Sequence, residues 1–234
     1  MITASVVTFH TSYVDLKRLL DCVLHSSIDI CFIIDNSSND SLREFASLSD
    51  KIVYIHSDNL GFGSGHNIAI RRSIELGAQY HAVINPDIYW EGDVAKPLAG
   101  FMDKQEDCGL VMPKVLYPNG NVQYLCKLLP TPMDLFGRRF IPFNAYQEKH
   151  DAWFELHHTG YDKVMEVPSL SGCFMFMRVE TLKQVGGFDE RFFMYAEDLD
   201  LCRRIGQVSK TMYYPGVCVF HGYSKGSYKN KKLL

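Results

Sequence analysis

The first ninety residues alternate between short apolar runs and stretches in which hydrophobic residues recur every three or four positions. The apolar runs lack polar alternation, which is typical of strands buried on both faces of a parallel sheet. They predict four strands, at Thr3–Phe9, Ile30–Ile34, Ile52–Ile55 and Ala82–Ile84. The amphipathic stretches predict three helices, at Asp15–Ser27, Asp40–Leu48 and Asn67–Leu76. This order predicts an α/β fold with a Rossmann-like, mostly parallel central sheet and helices on both faces.

Polar residues follow each of the four predicted strands. In open α/β sheets, ligands bind beyond the carboxyl ends of the strands. We therefore expect one polar rim, formed by Thr8 and His10, Asp35-Asn36-Ser37, Ser57-Asp58-Asn59 and Asn85-Pro86-Asp87. This rim is the main structural argument for a binding site.

The second half of the chain has a less regular pattern. Strands are predicted at Cys108–Met112, Cys173–Met177 and Thr211–Phe220, and helices at Val179–Val185 and Ala196–Ile205. Between them, the segment 125–161 is rich in aromatic residues and has poor periodicity, which predicts a functional or mobile insertion. No linker divides the chain, so a single domain over residues 1–234 is expected.

Composition excludes several classes of protein. A net charge of -3 argues against a nucleic-acid partner. Seven cysteines without a C-x-x-C pair indicate reduced thiols. No apolar stretch is long enough to span a membrane, and the N-terminus is typical of a strand, not a signal peptide. The lysine-rich tail 225–234 is either a solvated end or a contact for an anionic membrane surface.

Two segments of the rim could hold a nucleotide. The carboxylate of Asp35 can accept hydrogen bonds from a base or a ribose hydroxyl, although the same residues also suit an ordinary turn. Asp58–Asn67 carries glycines at alternating positions just before a helix, where backbone N–H groups can approach a diphosphate. The segment matches neither G-x-G-x-x-G nor the P-loop, and a simple glycine-rich turn stays open.

Acidic residues and one histidine are candidates for cation binding and proton transfer. Asp87, just past a buried strand, can bind Mg²⁺ or Mn²⁺ that bridges two phosphates. Glu197, Asp198 and Asp200 open a predicted helix, where acids also interact favourably with the helix dipole. A carboxylate at this position can act as general base for a hydroxyl. His221 follows a strand and is either a metal ligand or a surface residue.

Together these motifs resemble family 2 glycosyltransferases of the GT-A fold, and most closely their rhamnosyltransferase-like branch. The matching segments, which cover nearly the whole chain outside 125–161, are SVVTFH at 5–10, IIDNSSND at 33–40, DNLGFGSGHN at 58–67, NPDI at 85–88, SGCFMFMR at 171–178, GGFDERFFMYAEDLDLCRR at 186–204 and HGYS at 221–224. The resemblance implies a nucleotide-binding half at 1–90 and an acceptor and catalytic half at 91–234.

The resemblance also implies residue roles. The residues implied for the nucleotide are Thr8, Asp35, Asn36, Ser37, Asn59, Gly61, Phe62, Gly63, Asn67 and Asn85. Asp87 and His221 are implied for the metal, Mg²⁺ or Mn²⁺; Asn85 stands where many relatives carry the first Asp of a D-x-D motif. Asp198, in the Glu197-Asp198 pair, is implied as the catalytic base, and Gly172 and Asp189 line the sugar and acceptor region.

The implied reaction is a single inverting displacement from a nucleotide sugar, with dTDP-rhamnose as first expectation and uridine-diphosphate sugars next. The implied acceptor is a glycan or lipid-linked glycan of the cell surface. The implied location is cytoplasmic, with peripheral contact at the inner face of the membrane left open, as is the oligomeric state. Two alternatives remain: a non-catalytic nucleotide-sugar-binding subunit, and a sugar nucleotidyltransferase, whose usual Gly-rich basic loop is absent at 8–13.

Overall fold

The structure is a computed structural model that describes residues 1–131 and 144–222. The lysine-rich tail and the centre of the predicted insertion, residues 132–143, lie outside the described residues.

The described residues form eleven strands, six α-helices and two short 3₁₀ helices, and strands and helices alternate through the first half of the chain. The strands are β1 (Ile2–Thr8), β2 (Ile30–Asp35), β3 (Ile52–His56), β4 (Tyr80–Ile84), β5 (Ile88–Tyr89), β6 (Cys108–Leu116), β7 (Cys126–Lys127), β8 (Met165–Glu166), β9 (Ser169–Leu170), β10 (Phe174–Arg178) and β11 (Lys210–His221). The α-helices are α1 (Tyr13–Leu24), α2 (Phe62–Glu75), α3 (Ala95–Lys104), α4 (Asn144–Phe154), α5 (Val179–Val185) and α6 (Glu197–Ile205). Short 3₁₀ helices cover Arg43–Leu48 and His157–Thr159.

A nine-stranded sheet forms the centre of the described part of the chain, in the order β3-β2-β1-β4-β10-β6-β11-β5, with β8 also paired to β11. The first four strands are parallel. Strand β10 runs antiparallel to both β4 and β6, and β11 is parallel to β6. Every long strand except β10 therefore points the same way, which confirms the prediction of a mostly parallel sheet.

Helices cover both faces of this sheet, as the lack of polar alternation predicts. Ile33 of β2 packs in the main core with Leu16 and Leu19 of α1. Its neighbours Phe32 and Ile34 point to the other face and pack with Ala69 of α2. The main core also includes buried side chains from both halves of the chain.

Several predicted boundaries are wrong. Helix α2 begins at Phe62 and not at Asn67, so the glycine-rich segment forms its first turns. The helix predicted at 40–48 is a 3₁₀ helix, and the Asp40 carboxylate bonds the Arg43 side chain instead of capping a helix. Helix α3 was not predicted, although Ala95, Leu98 and Met102 are spaced to bury one face.

The described parts of the insertion, residues 125–131 and 144–161, contain the short strand β7 and helix α4, which its poor periodicity does not predict. Strand β7 pairs with β9 in a separate two-stranded sheet, which ties the insertion to the segment leading into β10. Among the described helices, none has the length and apolar character needed to cross a bilayer.

Candidate functional site

Asp87 and His221 meet at the edge of the sheet, although they are 134 positions apart in the chain. The imidazole Nε2 of His221 lies 3.3 Å from Oδ1 of Asp87. Two backbone contacts hold the pair: His221 is opposite Ile88 in the β5–β11 ladder, and the amide of Gly222 donates to the carbonyl of Asp87 at 2.9 Å. The histidine is buried and the carboxylate is 27% exposed, so the pair opens to solvent on the aspartate side.

Asp198 lies in the first turn of α6 and faces Gly172. Its Oδ2 accepts a hydrogen bond from the backbone amide of Gly172 at 3.0 Å, and its Oδ1 bonds the amide of Leu199. The two residues just before the helix, Tyr195 and Ala196, have φ angles of 71° and 68°. Left-handed backbone at non-glycine residues is costly and is concentrated at functional sites.

Cys173 connects the two carboxylates. Its carbonyl accepts from the amide of Asn85, which joins the start of β10 to the end of β4. Burial raises the pKa of the Cys173 thiol to about 12, and the negative charges of Asp87 and Asp198 add to this rise. Both carboxylates therefore lie near the same buried thiol, and the grouping of Asp87, Asp198 and His221 in one site stays a prediction.

Glu197, predicted as the partner of Asp198, points into the protein. Its side chain is 6% exposed, and Oε2 has no hydrogen-bond partner among the described residues. Burial raises its pKa to about 7, and the adjacent Asp198 charge adds to the rise. Glu197 is therefore a buried carboxyl that binds its proton far more tightly than an exposed one.

Asp35 is held in place by hydrogen bonds at the end of β2. Its carboxylate is fully buried and accepts from Thr8 Oγ1 at 3.0 Å, the amide of Ser37 at 3.1 Å and the Tyr54 hydroxyl at 2.8 Å. The neighbouring Asn36 Oδ1 is buried and has no partner among the described residues. The described hydrogen bonds of Asp35 are all to groups of the protein, and its direct contact with a base stays a prediction.

The glycines of the segment 58–67 serve close packing. A Cβ at Gly61, where φ is 102°, would lie 2.2 Å from the carbonyl oxygen of Phe193. A Cβ at Gly63 would lie 2.9 Å from Cβ of Phe188. The amide of Phe62 donates to the same Phe193 carbonyl at 3.0 Å. The segment is thus fastened to the loop that precedes α6, and the predicted diphosphate cradle has no support from these two glycines.

Asn67 fastens the same region from inside α2. Its side chain exchanges hydrogen bonds with the backbone of Phe188 at 2.9 Å in both directions and donates to Glu190 at 3.0 Å. Asn59 is exposed at the start of the segment and accepts from the amide of Gly61. Both residues shape the site indirectly, and their contact with a nucleotide is untested.

Phe62 and Asp189, both predicted for the site, contact different groups in the structure. Cε1 of Phe62 is 3.4 Å from the position of a Cβ on Gly172, so its ring lies beside Asp198. The Asp189 carboxylate is engaged by Arg191, and the hydrogen bonds from that guanidinium and its backbone lower the pKa of Asp189 to about 2. The structure therefore brings Phe62 next to Gly172, and it gives Asp189 an arginine as its partner.

A buried polar network lies beneath the start of α2. Ser5 Oγ of β1 contacts Nδ1 of His66 at 2.7 Å and Nε2 of His81 at 2.8 Å. Nδ1 of His81 in turn contacts Thr3 and Ser73, each at 2.9 Å. Burial lowers the pKa of both histidines, so both rings are neutral at pH 7. The network fixes α2 against the sheet from the protein interior.

Sequence reasoning missed the residues that support the site. Gln123 contacts both the ring and the carbonyl of His221, and Tyr54 bonds Asp35. Neither contact has a signal in the local pattern, because each joins positions that only the folded sheet brings together. Cys173, in contrast, lies inside the segment SGCFMFMR and could have been found from its position directly after the predicted site residue Gly172.

The donor set suits a divalent cation in part. One imidazole nitrogen and one carboxylate are common ligands of Mn²⁺ and related ions. Across residues 1–131 and 144–222, no group of three or more His, Cys, Asp or Glu side chains converges on a metal position. A cation at Asp87 and His221 would therefore need most of its ligands from phosphate oxygens and water, as is usual where a metal binds with a nucleotide.

Comparisons with known proteins show which proteins this chain is similar to. An N-acetylglucosaminyl-diphospho-decaprenol L-rhamnosyltransferase of Mycobacterium tuberculosis is 29% identical over 182 residues, which are 70% of this chain and 56% of that protein. Rhamnosyltransferase WbbL of Escherichia coli is 23% identical over 96% of this chain and 83% of its own length. The chain thus spans about half the length of the mycobacterial relative.

A solved structure of GalNAc-T7 with UDP, GalNAc and Mn²⁺ has the same fold, with a TM-score of 0.69, 15% sequence identity, and coverage of 95% of this chain and 44% of that one. This confirms the GT-A architecture predicted from the sequence. The family model for glycosyl transferase family 2 matches residues 5–186. On this match, together with its rhamnosyltransferase relatives, the chain belongs to glycosyl transferase family 2.

Proposed function

We propose that this chain transfers a sugar from a nucleotide-sugar donor to an acceptor hydroxyl by a single inverting displacement. The proposal is supported by two contacts, His221 with Asp87 and Asp198 with Gly172, and by the hydrogen bond from the Asn85 amide to the Cys173 carbonyl that brings their segments together. In this proposal, Asp87 and His221 bind a cation, and the half-buried carboxylate of Asp198 lies in the same site. Inverting transfer needs both features, because one neutralises the leaving group while the other accepts the proton of the attacking hydroxyl.

The nucleotide would lie across the carboxyl ends of β2, β1 and β4. Neighbouring strands are about 4.8 Å apart, so Asp35 at the end of β2 lies about 10 Å from the end of β4. That separation suits a nucleoside at Asp35, Thr8, Asn36 and Ser37 with its diphosphate near Asn85 and Asp87. The buried Asn36 Oδ1 that has no partner among the described residues is an acceptor available to a base or ribose group.

The divalent cation, Mg²⁺ or Mn²⁺, would be held by Asp87 and His221. When bound, it supplies positive charge that stabilises the departing diphosphate. Residues of this chain position the catalytic carboxylate. The amide of Gly172 fixes one oxygen of Asp198, and the side chain of Phe62 packs against the same glycine.

Asp198 would accept the proton of the acceptor hydroxyl. Its carboxylate is half-buried in the first turn of α6, where the amide of Gly172 holds one of its oxygens. Burial raises the pKa of the adjacent Glu197 to about 7, so below that pH Glu197 is mostly protonated and adds no second charge directly beside Asp198. A single ionised carboxylate is what a general base requires.

Exposed apolar side chains next to Asp198 suit a lipid-linked glycan acceptor. Phe193, Met194 and Tyr195 are 50%, 42% and 47% exposed and directly precede α6. Leu60, 63% exposed, is next to Gly61, which touches the Phe193 carbonyl. The mycobacterial relative is named for a diphospho-decaprenol acceptor and for L-rhamnose. By analogy, we propose a polyprenyl-diphosphate-linked acceptor and dTDP-rhamnose as first donor, with UDP sugars as the second choice.

A transfer assay tests the proposal. The chain is incubated with Mn²⁺, a panel of nucleotide sugars and a short-chain polyprenyl-diphosphate-linked N-acetylglucosamine, and the product is analysed by mass spectrometry and by NMR of the new anomeric centre. The expected product carries one added sugar with inverted configuration. Donor binding without turnover would contradict the proposal and favour a non-catalytic subunit. Pyrophosphate release from a nucleoside triphosphate and a sugar phosphate would favour a nucleotidyltransferase.

A further inference from the structure

Gln123 is a buried amide that touches His221 twice. Its side chain is 4% exposed and lies 98 positions before the histidine. Nε2 of Gln123 donates to the backbone carbonyl of His221 at 3.0 Å. Oε1 lies 3.0 Å from Nδ1 of the His221 ring. One amide therefore holds both the backbone and the side chain of the predicted metal ligand.

The chemistry of these contacts fixes the orientation of the Gln123 amide. A backbone carbonyl can only accept a hydrogen bond, so the amide nitrogen must face the carbonyl of His221. The carbonyl of Leu116, 3.5 Å from the same nitrogen, favours the same orientation. The amide oxygen then faces Nδ1, and because that oxygen can only accept, Nδ1 must carry a proton.

A proton on Nδ1 determines what the other ring nitrogen can do. Nε2 is directed at Oδ1 of Asp87, 3.3 Å away. A carboxylate oxygen is also an acceptor, so the contact needs either a second proton on Nε2 or a metal ion between the two atoms. The opposite tautomer would donate from Nε2 to Asp87 and remove the lone pair that a metal ion needs.

We propose that Gln123 is a positioning residue that keeps the proton of His221 on Nδ1 and so presents Nε2, beside Asp87, to a divalent cation. The inference rests on the proposed cation site. Metal-binding histidines commonly donate their second N–H to a fixed acceptor, which sets the tautomer and the ring orientation. Here that acceptor is a side-chain amide held in place by two backbone carbonyls.

Nitrogen NMR of the metal-free protein tests the tautomer directly. With ¹⁵N-labelled histidine, the two ring nitrogens of His221 are assigned by the signals lost in His221→Ala, and their shifts report which one is protonated. In the wild type, Nδ1 should be protonated. In Gln123→Met, which keeps the length but removes the acceptor, the neutral ring should protonate Nε2 and leave Nδ1 bare. Gln123→Glu keeps an acceptor and should keep the proton on Nδ1. An unprotonated Nδ1 in the wild type, or no change in Gln123→Met, would overturn the proposal.

Mn²⁺ binding, followed by electron paramagnetic resonance of the free ion, tests the consequence. Gln123→Met should raise the Kd for Mn²⁺ by about tenfold or more. Tyr161→Phe is the matched structural control, because the Tyr161 hydroxyl bonds the amide and carbonyl of Cys126, three positions after Gln123. It loosens the same segment without touching His221, and it should leave the Kd unchanged.

The possible failures are distinguishable. Equal loss of Mn²⁺ affinity in Tyr161→Phe and Gln123→Met would assign Gln123 a purely structural role and overturn the proposal. If the wild type bound no Mn²⁺, the cation site of the proposed function would fall, while the ring-nitrogen shifts would still decide the role of Gln123.

Discussion

Glu197 couples the stability of the protein to pH. Its pKa is raised from 4.5 to about 7, because burial penalises the charged form and the Asp198 charge opposes ionisation. Between these two values the folded chain binds more protons than the unfolded chain, so its free energy of unfolding decreases as the pH rises. The full effect of this shift is about 3 kcal/mol.

Replacing Glu197 with Gln should remove this decrease in stability with rising pH. We measure the free energy of unfolding by urea denaturation. The value for Glu197→Gln should increase relative to that of the wild type as the pH rises from 4.5 to about 7. Glu180→Gln is the control, since its carboxylate is 77% exposed and pairs with Lys183 on the surface. A wild-type-minus-variant difference that is the same at every pH would show that Glu197 is not the group responsible.

Asp198 is expected to act in the chemical step. Its replacement by Asn keeps the shape and an acceptor for the Gly172 amide but removes the base, so kcat should drop by about 10²- to 10⁴-fold. Donor affinity, measured by calorimetry, should stay near the wild-type value. Asp200→Asn is the control on the same helix, because Asp200 is paired with Arg204 at 2.7 Å. Near-normal turnover in Asp198→Asn would contradict the assignment.

At the scale of elements, the first turns of α2 depend on the absence of side chains at their glycines. Gly63→Ala would place a Cβ 2.9 Å from Cβ of the buried Phe188, an atom tied closely to its backbone. We expect it to destabilise the protein by about 1–3 kcal/mol despite the better helix propensity of Ala. Thermal and urea denaturation measure the change.

Gly100→Ala is the matched control in α3. Apart from its chain neighbours and the backbone of its own helix, no atom lies within 4 Å of its added Cβ, so the helix propensity of Ala should stabilise the protein by about 0.5–1 kcal/mol. If both substitutions had the same sign, the close packing of α2 against Phe188 would not be the reason for the glycine at position 63.

Gly61 and Gly63 have packing partners that the local sequence pattern does not predict. A glycine allows close approach of a ligand or of another part of the protein, and the two uses leave the same pattern in the sequence. Near Gly61 and Gly63 the approaching groups are Phe193 and Phe188, from a loop more than 120 residues away. The alternation of strands and helices was predictable because its period is local, whereas these packing partners are not.

The site itself was predicted unevenly. Strand ends placed Asp35 and Asp87 on one rim by a general rule of parallel sheets. The prediction that His221 and Asp87 lie together depended on the family resemblance, since no spacing in the sequence relates them. The contact of Gln123 with His221 was not predictable, because it depends on one amide facing a carbonyl 98 positions away.

At the scale of the whole molecule, the sheet order sets the distances on which the proposed function depends. Strand β1 separates β2 from β4, and β10 brings Gly172 and Cys173 alongside the end of β4. Strand β11 then returns His221 to the turn that carries Asp87. In the proposed function, the nucleoside, diphosphate and acceptor would follow one another along this edge, so we expect cation and nucleotide to bind there cooperatively.

Calorimetric titration of a nucleoside diphosphate, with and without Mn²⁺, tests this cooperativity most directly. The nucleotide used is the one that most raises the melting temperature of the wild type in a panel of diphosphates. Mn²⁺ should tighten its binding by about tenfold or more in the wild type and in Asp198→Asn. The same gain should vanish in Asp87→Asn. Equal nucleotide affinity with and without Mn²⁺ in the wild type, or an undiminished gain in Asp87→Asn, would contradict a shared site for cation and diphosphate.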